Sequence, residues 1–117
     1  MPPKRNPLKL NKLQLKTLTL LQTLAALPDV AASEPETGNT LLRWLPDPHG
    51  NHFHIGDAVV MASDATGLNN PAVWLALARK GLAAPGYPSH MAVTPAGLAY
   101  ETDLGDSISS CRPLISL

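Results

Sequence analysis

From Lys12 to Leu27 leucines and polar residues recur at helical spacing. Lys12, Lys16, Thr19 and Thr23 fall at steps of four, three and four, which lays one polar stripe along a helix. Leu13, Leu20, Leu24 and Leu27 flank that stripe, and Leu18 and Leu21 carry the apolar surface further round. So wide an arc predicts a helix covered on more than one side, either the central helix of the domain or part of a dimer interface. Asn11 is a good N-cap, with Gln14 three residues on as a capping box prefers, and Pro28 stops the helix.

Beyond it, 28–40 carries Asp29, Ser33, Glu34, Pro35, Glu36 and Gly38 and predicts a loop. Leu41–Leu45 and the alternating His52–Ile55 predict two strands of a hairpin, joined through the turn chemistry of 46–51. Residues 57–65 fit either a continuing strand or a short helix. Asn69 or Asn70 then caps a helix over Pro71–Lys80, with Pro71 at its first position and Val73, Leu77 and Trp74 on one face. Gly81 ends that helix. Leu82–Val93, broken by Pro85-Gly86-Tyr87-Pro88, predicts a second hairpin, and Thr94-Pro95 opens a last short helix to about Tyr100.

The resulting order is helix, hairpin, helix or helices, wing hairpin, short helix: an α+β, winged-helix-like fold. At 117 residues the chain is one small domain. Its expected parts are a basic extended arm over 1–10, the domain over 11–103, and a loosely ordered tail over 104–117. Pro2, Pro3 and Pro7 deny the arm a helix.

The stretch NNPAVWLALARKGLAAPGYPSHMAVTPAGLAYE resembles the second half of MarR- and PadR-type bacterial regulators. The likeness rests on Lys80-Gly81-Leu82 at a recognition-helix end, and on Val93-Thr94-Pro95-Ala96-Gly97 after a wing. LNKLQLKTLTLLQTLA is also similar to the first helix of such domains, and the resemblance spans about half the chain. It implies a DNA-binding regulator whose base contacts come from Asn69, Asn70, Val73 and Trp74. Asn pairs bidentately with adenine, yet Asn70 also suits the cap. GDAVVMASDATGL is an unusual sequence for the helix that would precede the recognition helix, and Ala83–Ala92 has no Lys or Arg for a wing. Winged helices also serve as protein-contact modules, which is the alternative reading.

Charge sharpens both readings. Lys4, Arg5, Lys9, Lys12 and Lys16 put five cations in the first sixteen residues with no acid among them. The rest carries four cations, among them Arg79 and Lys80, against nine acids, a net of −5. A basic arm on an acidic body is solvated, or meets duplex DNA, an acidic protein partner or its own body. Lys12 and Lys16 also sit at the unfavourable end of the helix dipole.

Three of four histidines fall in PHGNHFH. On a strand His52 and His54 share a face, and His49 across the turn adds a third imidazole. Asp57 and His90 are further candidates, so zinc or another first-row divalent ion is a possible cofactor. The bland alternative is an exposed strand face. HFHIGD is also similar to a cupin HxH motif, but cupins are all-β and this chain has two strong helix patterns.

No catalytic set stands out, so an enzyme is the least supported class. The single Cys111 cannot form an internal disulfide, and no apolar run approaches the roughly 20 residues of a membrane span. A signal peptide is disfavoured because the charged region is long and Gln22 and Thr23 interrupt the apolar stretch. The expectation is a cytoplasmic protein, homodimeric through its first helix.

Overall fold

A computed structural model describes residues 8–45, 52–55, 58–61, 65–100 and 102. The architecture is mixed α+β. Helix α1, Lys12–Ala25, begins at the expected capping box: the Asn11 side chain accepts from the Gln14 backbone (2.8 Å), and Gln14 Oε1 accepts from the Asn11 backbone (3.0 Å). Strands β1, Ala31–Glu34, and β2, Asn39–Leu42, follow, then β3, His52–Ile55, and β4, Ala58–Met61. A short 3-10 helix, Thr66–Asn69, leads into α2, Pro71–Arg79, and the chain continues through β5, Ala92–Val93, and α3, Pro95–Ala99.

α1 is the central helix. The 3-10 helix, α2, α3, β1, β2 and β5 all pack against it. Thr17, Leu18, Thr19, Leu20, Leu21 and Leu24 are buried. The breadth of its apolar arc is therefore taken up inside one chain. Thr19, expected on the solvent stripe, faces inward. Its hydroxyl bonds the Leu15 carbonyl (2.8 Å) and lies 2.6 Å from the Thr102 hydroxyl, so its burial leaves no polar atom unmatched. Gln22 donates its side-chain amide to the C-terminal end of α3, bonding the carbonyls of Gly97 (2.9 Å) and of the C-cap Tyr100 (2.8 Å).

The sheets pair differently from the sequence expectation. β2 pairs antiparallel with β1, with Ala31 opposite Leu42, and on its other side with β5, giving the order β1-β2-β5. β3 pairs with β4, so the expected Leu41–Leu45/His52–Ile55 hairpin does not form. The supposed loop 28–40 holds β1 and a turn closed by the Gly38 amide on the Glu34 carbonyl (2.8 Å). The supposed second hairpin shrinks to a bridge between Ala83 and Val93, with the Ala84 amide on the Ala92 carbonyl (3.0 Å). A loop, 85–91, projects beyond it.

The corner between α2 and α3 is tightly determined. Gly81 has φ +76°, its amide bonds the Ala78 carbonyl (3.0 Å), and the Leu82 amide bonds that of Leu77 (3.0 Å). This is a Schellman stop, with Leu77 and Leu82 both buried. The Thr94 hydroxyl donates to the Gly81 carbonyl (2.6 Å) and accepts from the Gly97 amide (3.0 Å), capping α3 on the end of α2. Gly97 lies so close to Leu82 that any Cβ there would strike the Leu82 carbonyl.

Candidate nucleic-acid interface

Six of the expected base- or phosphate-contacting positions lie on or beside α2. The 3-10 helix and α2 are separated by one residue, Asn70, whose side chain accepts from the Ala72 amide (3.0 Å). Asn70 is thus the helix cap. Trp74 is a core residue rather than a surface reader: it is 2 % exposed, its indole N–H donates to the Leu68 carbonyl (2.8 Å), and its ring stacks on Tyr87 with centroids 4.8 Å apart. Val73 is buried too. Asn69 remains exposed at the start of α2, as do Arg79 and Lys80 at its end.

The outward face of α2 is apolar. Leu75 is 51 % exposed, next to exposed Pro71 and Ala72. A cleft of about 80 Å³ opens between Pro71, Leu75 and Ala78 on one side and Ala84, Pro85 and Tyr87 on the other.

The lysines gather at one end of α1. Lys80 Nζ donates to the Leu8 carbonyl (2.8 Å), and the Leu8 amide donates to the Tyr100 hydroxyl (3.0 Å). Leu10 is buried, so the chain enters the core just after Lys9. Lys9 and Lys12 are exposed, while Lys16 is half-buried and engaged by a neighbouring group. Lys4 and Arg5 lie outside the described residues. All three described acids, Asp29, Glu34 and Glu36, follow the other end of the helix. Glu34 is nonetheless brought back beside the 85–91 loop that follows α2, where it meets His90. Sequence reasoning missed the Leu8–Lys80–Tyr100 contact, and no local signal marks Tyr100 for it.

The histidines divide. His52 and His54 lie two apart on β3. His52 is half-buried and engaged by a neighbouring group. His49 and Asp57 lie outside the described residues. His90 belongs to the 85–91 loop, and its Nε2 lies 2.8 Å from Glu34 Oε2 at the end of β1. The hydrogen bond to Glu34 raises its pKa above the usual value, partial desolvation opposes this, and the Pro85 backbone and the Glu34 charge add to the rise. Among the described residues no three His, Cys, Asp or Glu side chains gather as a metal site. No helix among them is long and apolar enough to cross a membrane.

Comparison of the chain with protein-family models, with curated proteins and with solved structures finds no match.

Proposed function

We propose that the chain is a winged-helix-like domain that binds duplex DNA, with α2 at the groove and the basic end of α1 on phosphates. The observation carrying this reading is the path around α2. β2, which follows α1 and β1 and is separated from α2 by β3, β4 and the 3-10 helix, pairs with β5, and β5 bridges to Ala83 shortly after α2. This path supports a winged-helix reading, with residues 85–91 in the place of the wing.

The side chains favour backbone-led binding with modest sequence preference. Asn70 is committed to its cap and Trp74 to the core. Base contact then falls to Asn69 and to the methyl groups of Ala72 and Leu75, which suit thymine methyls. Phosphate contact falls to Lys9, Lys12, Arg79, Lys80 and the arm. Four to six neutralised phosphates give a slope of about −4 to −5 for log affinity against log salt. Anisotropy of a labelled duplex between about 50 and 200 mM salt measures it. Absent binding at low salt, or affinity indifferent to salt, would end this reading.

A second reading rests on a different observation. The exposed Leu75 beside the α2 cleft, facing a loop without Lys or Arg, suits a protein-contact module. In that case Leu75→Asp abolishes partner capture, and the natural chain shows no salt-dependent affinity for duplex DNA.

A further inference from the structure

The outward face of α2 ends in charge. Leu75 stands exposed at the cleft, and Pro71 and Ala78 line it one turn to either side. Arg79, four residues beyond Leu75, is exposed on the same side of the helix, about 6 Å along its axis. From Pro71 to Met91, the stretch that builds both walls, no Asp or Glu occurs. Acids approach from the turn after β1, where Glu34 is engaged by His90 and Glu36 lines the same cavity. Among the described residues no acid pairs with Arg79. The cleft also sets a size. Its 80 Å³ is about half the volume of an apolar cavity that admits benzene, about 150 Å³. It takes one aliphatic side chain and is too small for an indole.

We propose that this cleft docks a short acidic segment of a partner protein, seating one Leu or Val side chain between α2 and the loop and one carboxylate on Arg79. It rests on the protein-contact reading above and names the partner's chemistry. The anchor removes the exposed surface of Leu75 and the cleft face of Tyr87 from water. The carboxylate meets the forked donors of the guanidinium. Leu75 and Arg79 are one turn apart, so anchor and carboxylate stand about 6 Å from each other, close to the span of two extended residues. A phosphate backbone offers the charge but no side chain to fill the cleft.

The test uses the full chain, isotope-labelled for amide shifts, and short Gly/Ser peptides carrying one Leu and, two residues on, one Glu. The amides of Leu75, Ala78 and Tyr87 should move together and saturate. Ala in place of the peptide Leu should weaken binding about tenfold or more, the share of one buried aliphatic side chain. Trp in its place should weaken binding too, because the cleft cannot hold it. Gln in place of the peptide Glu should weaken binding about two- to fivefold, as an exposed ion pair does. That preference should vanish in Arg79→Gln and in about 1 M salt. Binding that needs the peptide Leu but treats Glu and Gln alike overturns the acidic partner and spares the protein-contact reading. A Glu preference that survives Arg79→Gln overturns the seat of the carboxylate. No shift at these amides up to about 5 mM peptide, past the millimolar range of weak contacts, overturns the proposal. The protein-contact reading falls with it only if Leu75→Asp also leaves partner capture intact. If duplex DNA moves these amides and no peptide does, the face belongs to DNA and the proposal fails. If they move with protein concentration alone, a second copy fills the cleft and the proposal fails.

Discussion

Two neighbouring regions follow α2, and they are held in different ways. At the corner, backbone bonds run from Leu82 to Leu77 and from Thr94 to Leu82, the Thr94 hydroxyl ties the Gly81 and Gly97 backbones together, and Leu82 and Gly97 are buried. At the loop tip, 85–91, the outer hold includes two side-chain contacts: Tyr87 on Trp74, and half-exposed His90 on Glu34. Backbone bonds in a packed corner have one geometry and no cheap alternative. Surface side-chain contacts leave a segment adjustable. The corner thus fixes the direction of α2 and the entry to α3, while the tip can adapt to whatever α2 meets. Substitutions should therefore cost much in the first region and little in the second.

Where the two regions meet, the expected cost is largest. Trp74 anchors the tip from inside the core, with its N–H on Leu68. Trp74→Ala should cost about 3–5 kcal/mol, as large aromatic deletions do, and unfold much of the population at ambient temperature. Urea denaturation measures it. A loss under about 1 kcal/mol would mean that the tip, not the core, holds this ring.

Within the corner, Gly97→Ala comes next. A methyl group there meets the Leu82 backbone carbonyl, which cannot rotate away. Overpacking of this kind costs about 1–3 kcal/mol, and the rigidity of the Schellman stop argues for the upper half. Thr94→Ala removes a cap and the tie to Gly81 together, for about 1–2 kcal/mol. Both are read from denaturant midpoints at constant m. If Gly97→Ala costs less than Thr94→Ala, the corner yields more than its contacts imply.

The corner is also where the sequence is most legible, for the same reason. A cap, a helix stop and a close-approach glycine are encoded within a few residues, so Asn11 with Gln14, Asn70-Pro71, Gly81 and Thr94-Pro95 could be read directly. Strand partners are not local. β1 is Ala-Ala-Ser-Glu, with no β-branched or aromatic residue, and it forms because β2 lies across a tight turn. Thr19 counted as polar, although its hydroxyl is satisfied within its own helix and by Thr102. The base-reading expectation for Trp74 came from family position, and burial overrode it. The basic arm was legible as charge, but its root depends on Tyr100, 92 residues from Leu8.

At the tip, the expected effect is smallest and depends on pH. His90 titrates above its usual 6.5 because its ring bonds the Glu34 carboxylate. Glu36 lines the same cavity and adds to the negative surroundings. A histidine whose folded pKa is raised binds its proton more tightly in the folded state. Its stabilisation is complete below the unfolded pKa of about 6.5 and fades as pH rises through the folded value. Both partners are partly exposed, so the contribution belongs with surface pairs, under about 1 kcal/mol and weakened by salt. The natural chain should therefore lose slightly more stability between pH 6 and 8 than His90→Gln, and added salt should shrink that gap. Paired urea titrations at the two pH values measure it. A gap as large as the Gly97→Ala effect would erase the contrast between corner and tip, because the loop would then be anchored as firmly as the helix stop it leaves.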